Sequence, residues 1–195
     1  NLKYSIWSME IYLIRHTTPK VEKGTYYGQT DLALADTFEQ DIRITRSKLP
    51  KKFGAIYSSP LVRCRILARE LEASYFQTDE RLKEMDLGDW EMKRWDEIDG
   101  GAIKHWMQNF DHLPPPNGES FQQLHDRVIP AYRDILESDF VTVAIVAHGG
   151  VIRSILNHVL GIPLKNSFTY ALDYGGISLL DLPRPDFVKV QYINR

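Results

Sequence analysis

An apolar, largely β-branched run, Val141 to Ala147, passes directly into His148-Gly149-Gly150 and then into a helical pattern from Val151 to Leu160. No other feature of the chain constrains the fold as strongly. A run with no polar alternation belongs in a strand covered on both faces. Two glycines after it permit a tight strand-to-helix turn and a close approach of backbone to a ligand. The helix that follows aims unpaired N–H groups back at that turn, and Gly161 with Pro163 closes it. The same order recurs near the start: Glu10 to Ile14 reads as a buried strand and ends at Arg15-His16.

The remaining pattern alternates strands and helices. Asp36 to Leu49 is helical in spacing, with Phe38, Ile42, Thr45 and Leu49 on one side. Ala55 to Ser58 is a short strand stopped by Pro60. Leu61 to Ala73 is a helix whose apolar positions include Cys64, Leu67, Ala68 and Leu71. Phe76 to Thr78 is a short strand, Leu82 to Trp90 is irregular and acidic, and Trp95 to Phe110 is helix-prone. After the break at Pro114-Pro115-Pro116-Asn117-Gly118, Ser120 opens a helix to Glu137, with Gln123 placed for a capping box. Pro130 is expected to kink or split that helix. Ile177 to Leu182 and Phe187 to Ile193 form a terminal hairpin, whose edge is free to pair with a second copy as a homodimer.

This order predicts an α/β fold: a three-layer α/β/α sandwich with a largely parallel central sheet. In such sheets ligands bind beyond the carboxyl ends of the strands, where His16 and His148 both fall. Met9 opens the first strand pattern. Residues 1–8 are therefore expected to be upstream or added sequence, and residues 9–195 a single domain. A net charge of -2 gives no reason to expect nucleic acid or membrane as partner. One cysteine, Cys64, excludes an intrachain disulfide and a multi-thiolate metal site. With no signal-peptide pattern at the start, this fits a cytoplasmic setting.

Several residues suit phosphate chemistry. Arg63 falls in the first turn of a helix just past a strand end, and a guanidinium gives phosphate two parallel hydrogen bonds. Arg15 adjoins His16, and Gly149 adjoins His148. Each has an ordinary alternative. A strand-end histidine is more often structural, arginines on helices are usually solvated, and a strand-to-helix turn needs glycine anyway. The acidic stretch offers Glu84, Asp86, Asp89 and Glu91 as proton donors, and spacing does not choose among them. Cys64 falls at an apolar helix position and reads as core. His105, His112 and His125 read as surface residues without metal spacing.

Together these residues resemble the signatures of the histidine phosphatase superfamily, also called phosphoglycerate-mutase-like. Leu13-Ile14-Arg15-His16 is similar to its first motif, Ser58-Ser59-Pro60-Leu61-x-Arg63 to its second and Val146-Ala147-His148-Gly149-Gly150 to its third. Glu84-Met85-x-x-Gly88-Asp89-Trp90-Glu91 and Asn117-Gly118-Glu119-Ser120-Phe121 look most like the α-ribazole phosphatases of cobalamin biosynthesis. The resemblance implies an enzyme that needs no metal and no cofactor. His16 would be the nucleophile, Arg15, Arg63 and His148 the phosphate pocket, and Glu84 the proton donor.

Two departures stand out. Thr17 replaces the family's glycine after the histidine, and its hydroxyl is expected to add a phosphate contact. The family's loop asparagine has no equivalent, and Gln29 is expected to supply that contact. The implied reaction is hydrolysis of a small-molecule phosphate monoester through phosphohistidine, with α-ribazole 5′-phosphate as substrate. The alternatives are a broad sugar-phosphate phosphatase, a phosphohistidine phosphatase acting on proteins, a phosphoglycerate mutase and a non-enzymatic phosphate sensor.

Overall fold

The computed structural model describes residues 8–184 and 186–195. Residues 1–7, on which most of the proposed upstream segment falls, lie outside the described residues. Six strands form one sheet, β1 (Met9–Arg15), β2 (Phe53–Ser58), β3 (Ala73–Thr78), β4 (Thr142–Ala147), β5 (Ile177–Arg184) and β6 (Phe187–Tyr192), in the order β3-β2-β4-β1-β5-β6. The pairings β1–β4, β2–β4 and β2–β3 are parallel, whereas β1–β5 and β5–β6 are antiparallel. The parallel part is therefore β1 to β4, and the terminal hairpin is added to it.

Among the described residues five α-helices cover the sheet: α1 (Phe38–Ser47), α2 (Val62–Arg69), α3 (Gly100–Asn109), α4 (Phe121–Leu136) and α5 (Gly149–Leu160). Alternation along β1 sets the layers. Tyr12 and Ile14 pack with Ile42 of α1 and Cys64, Leu67 and Ala68 of α2. Ile11 and Leu13 pack on the other face with Leu124, Val128 and Tyr132 of α4 and Val151 and Ile155 of α5. β4 does the same, with Ala144 and Val146 on one side and Val143 and Ile145 on the other. This is the expected α/β/α sandwich.

Helix boundaries follow the caps. Ser120 accepts from the Gln123 N–H while the Gln123 side chain accepts from the Ser120 N–H, a closure that typically adds about 1 kcal/mol. Gly161 ends α5 in the left-handed region, φ 65°. Of the two outcomes expected at Pro130, a kink or a split, the split does not occur: α4 runs unbroken for 16 residues. Pro130 and Asp126 both face solvent, so water can serve the Asp126 carbonyl that proline leaves without a donor. The helix expected over Trp95 to Phe110 is divided, a 3-10 turn at Trp95–Glu97 preceding α3. Asp99 caps α3 by accepting from Ala102 N–H. Among the described residues no helix is long and apolar enough to cross a membrane.

Candidate active site

β1 and β4 are neighbours, and their register pairs Arg15 with Ala147. One step further along each strand come His16 and His148, so the sheet itself sets them side by side, ring centroids 5.2 Å apart. The His16 N–H donates to the Ala147 carbonyl (3.0 Å), and the His16 carbonyl accepts from Gly175 N–H (3.1 Å). His16 is 1% exposed. Its Nδ1 lies 2.7 Å from the Thr17 carbonyl. A carbonyl only accepts, so Nδ1 carries the proton and Nε2 keeps the lone pair.

Burial first, then the charges of Arg63 and Arg15, hold the His16 pKa well below its ordinary value. His148 is pushed down likewise, by burial and then by His16 and the arginines. His148 shares a 2.8 Å hydrogen bond with Ser59 Oγ, placing Ser59 of the second motif behind it. Cys64 Sγ lies 3.4 Å from His148 Nε2. Burial raises its pKa strongly, which keeps it a thiol and makes it an inert neighbour rather than a rival nucleophile.

The two arginines frame the histidines. Arg63 is fully buried. Its Nη1 donates to the Thr30 carbonyl (2.8 Å) and its Nη2 to the Gly28 carbonyl (2.6 Å). Arg15 donates through Nη1 to the Leu172 carbonyl (2.5 Å) and lies 4.0 Å under the Tyr174 ring. Tyr174 and Tyr27 share a 2.5 Å hydroxyl contact, and Tyr27 in turn lies over Arg63. Arg15 Nε, Arg63 Nε and Thr17 Oγ1 are buried with no partner among the described residues. Three buried polar groups so placed are suited to an anion.

The acidic stretch sorts itself by direction. Glu84 enters the pocket, its Oε2 accepting from Gly150 N–H of α5 (3.1 Å) and its Oε1 from Met85 N–H (2.8 Å). A Cβ at Gly150 would lie 2.3 Å from Glu84 Oε1, so glycine is what admits the carboxyl there. Asp86 caps its own turn at Gly88 N–H, and Asp89 pairs with Asn117. Glu91 turns inward under the loop at residues 28–30. Gln29, expected at the phosphate, has its amide donating to the Glu84 main-chain carbonyl (3.1 Å) and so braces the segment that carries Glu84. A polar side chain in an irregular loop gives no period from which its direction could be read.

No sequence motif points to Arg127, Arg153 or Tyr174. Arg127 donates to the carbonyls of Arg81, Lys83 and Glu84 and pairs with Glu119, holding the segment that carries Glu84. Its place inside a helix otherwise amphipathic was the one available signal. Arg153 is held by the Ser167 and Tyr170 carbonyls between the rings of Phe168 and Tyr170. His125 is half-buried and bonded to Ser154, not a plain surface residue.

Arg15, Glu84, Gly149, Gly150 and Arg153 line a cavity of about 250 Å³. Tyr26, Trp106 and Phe168 form part of its wall and also line an adjoining annex of about 460 Å³, completed by Met107, Phe110, Lys165 and Thr169. The annex is aromatic on most sides, with Lys165 as its one charged residue.

Residues 11–195 match the family described as histidine phosphatase superfamily (branch 1). The chain is 32% identical over 176 residues to a candidate phosphoserine phosphatase 2 of Hydrogenobacter thermophilus, covering 86% of this chain and 87% of the relative. It is 27% identical over 183 residues to the adenosylcobalamin/alpha-ribazole phosphatase of Escherichia coli K12, covering 89% and 90%. The crystal structure of an alpha-ribazole phosphatase from Shigella flexneri superposes with a TM-score of 0.84 at 25% identity, over 96% of each chain. The chain belongs to the histidine phosphatase superfamily.

Proposed function

We propose that this member of the histidine phosphatase superfamily hydrolyses α-ribazole 5′-phosphate, a ribose phosphate carrying a benzimidazole, through a phosphohistidine on His16. The observation that carries the chemistry is the neutral, buried His16 with its Nδ1 proton fixed on the Thr17 carbonyl, its Nε2 lone pair left free, and the charges of Arg63 and Arg15 opposing its protonation. Nε2 attacks phosphorus and the ester P–O bond breaks. Glu84 hands its proton to the departing oxygen. A water then attacks the phosphohistidine, its proton returns to Glu84, and the N–P bond breaks to restore His16 and release phosphate. Arg15 and Arg63 hold the equatorial oxygens, where charge spreads in the transition state. The Nδ1–H bond to Thr17 stabilises the imidazolium that phosphorylation creates.

The substrate reading is supported by the aromatic annex and by the relatives named for α-ribazole phosphate. A planar apolar base attached to the ribose finds stacking surfaces in Tyr26, Trp106, Phe110 and Phe168. A small polar leaving group such as serine would leave the annex idle, although Arg153 at the pocket wall could pair with its carboxylate.

The test compares EDTA-treated enzyme on α-ribazole 5′-phosphate, phosphoserine and 3-phosphoglycerate, with His16→Ala and Phe168→Ala. The expected result is a kcat/KM preference for α-ribazole phosphate that Phe168→Ala reduces about tenfold, the loss of one aromatic stacking contact, and no turnover by His16→Ala. A preference for phosphoserine that is indifferent to Phe168 would overturn the substrate, and activity in His16→Ala would overturn the mechanism.

A further inference from the structure

We infer that Glu91 is a positioning residue that builds the phosphate pocket from behind by fixing both Arg63 and Glu84 through the loop at residues 28–30. The inference rests on the phosphatase reading above. Glu91 touches no reacting group itself. Its Oε1 accepts from Gln29 N–H (2.9 Å) and Leu87 N–H (3.2 Å), and its Oε2 from Thr30 N–H (3.2 Å) and Thr30 Oγ1 (2.6 Å). Gly28 N–H is shared by both oxygens at 3.0 Å. One carboxylate therefore gathers five donors.

The trans peptide makes this gathering consequential. In a trans peptide the C=O points opposite to the N–H of the next residue. With Gln29 N–H turned onto Glu91, the Gly28 carbonyl must face away, and it meets Arg63 Nη2 at 2.6 Å. The Thr30 carbonyl meets Arg63 Nη1 at 2.8 Å. Carboxylate, peptide dipole and guanidinium stand in series, negative end to positive end, so the Glu91 charge stabilises Arg63 across one peptide without a direct ion pair. The same loop places Gln29, whose amide donates to the Glu84 carbonyl.

Gly28 confirms how closely the parts fit. A Cβ there would stand 1.8 Å from the Met85 carbonyl oxygen and 2.7 Å from Glu91 Oε1. The loop thus lies directly on the segment between Glu84 and Glu91. A carboxylate meets the demand where an amide does not, since glutamine at this position would turn an NH₂ donor onto at least two of the five donors.

The experiment is Glu91→Gln, with Thr30→Val as a second variant that removes only the hydroxyl contact. Each is measured for melting temperature, for kcat and KM, and for inhibition by vanadate, which mimics the pentacoordinate phosphorus. Outer-shell partners that orient active groups are typically worth about ten- to a hundredfold. Glu91→Gln is expected to lower kcat by about that factor and to weaken vanadate in proportion, with KM moving less than threefold. Thr30→Val is expected to lose a few-fold in kcat by the same logic. A purely structural role would lower the melting temperature and leave kcat and vanadate inhibition of the folded protein unchanged; that outcome overturns the inference. If Glu91→Gln does not fold, Thr30→Val decides: unchanged kcat and vanadate affinity overturn it equally. Wild-type enzyme inactive on every phosphate ester would instead defeat the phosphatase reading.

Discussion

Replacing Gly150 by alanine should separate stability from catalysis. Gly150 is the second residue of α5, and its N–H holds Glu84 Oε2 at 3.1 Å. A Cβ there would stand 2.3 Å from Glu84 Oε1, 3.3 Å from its carboxyl carbon and 3.0 Å from Leu124 Cδ2. Ordinary contact begins near 3.4 Å, so the carboxyl must retreat by about 1 Å or rotate away. It is the far end of a side chain, and the retreat is cheap for the fold. Helix propensity favours alanine by roughly 0.5–1 kcal/mol, which offsets much of the strain. The net change in stability should stay within about 1 kcal/mol, or less than ~4 °C in melting temperature for a chain of this size.

Catalysis has no such tolerance. A 1 Å misplacement of a reacting group can lower a rate by about a hundredfold. The assay compares an alkyl phosphate with p-nitrophenyl phosphate in Gly150→Ala. An alkoxide leaving group requires the proton of Glu84, whereas nitrophenolate departs without it. The kcat/KM for the alkyl ester, which reports transfer to His16 and not the later hydrolysis common to both esters, should therefore fall about a hundredfold, and that for the aryl ester by much less. Equal losses on both esters, or no loss on the alkyl ester, would refute the assignment of Glu84 as acid.

Two further predictions concern charge. The His16 pKa lies below 6.5, so the acid limb of kcat/KM should fall below pH 6.5; a limb above that value would contradict a buried neutral nucleophile. Stability shares the sign. Because His16 and His148 are depressed in the folded state, the unfolded chain takes up protons first as pH falls below about 6.5. Each histidine should then lower stability by about 1.4 kcal/mol per pH unit until its folded pKa is reached, as urea titrations from pH 7.5 downward would record. Arg127→Met should destabilise by about 3 kcal/mol, because it strands Glu119 and three carbonyls in a mostly buried site. A melting temperature within 2 °C of wild type, on the scale of roughly 2–4 °C per kcal/mol, would refute that role.

The legible parts of this chain were those in which burial forces a periodic pattern. β1 and β4 announced themselves because strands covered on both faces must be apolar throughout, and their ends located His16 and His148. Ser120 and Gln123 marked α4 because a cap needs particular side chains at particular offsets. The direction of side chains in irregular backbone left no such trace. Glu84, Asp86, Asp89 and Glu91 lie within eight residues. Only the resemblance separated Glu84 from the others, and nothing separated Glu91. Gln29 was expected to stand in for the family's loop asparagine, and its amide donation to the Glu84 main chain had no sequence signal. Tyr174 and Arg153 lie between the last helix and the hairpin or on a helix face, and their proximity to Arg15 exists only in the folded chain.

The register of β1 against β4 has a consequence for how such a framework can change over time. The two histidines extend from central strands, whose amides should open only with the whole domain and exchange hydrogen most slowly. Tyr26, Lys165 and Phe168, which shape the annex, sit on connections outside those strands, where exchange should be orders of magnitude faster. The two histidines and these annex residues are thus housed in units of different cooperativity. Mutations can rework the second without destabilising the first, which is a physical basis for one scaffold serving relatives that are named for different phosphate esters.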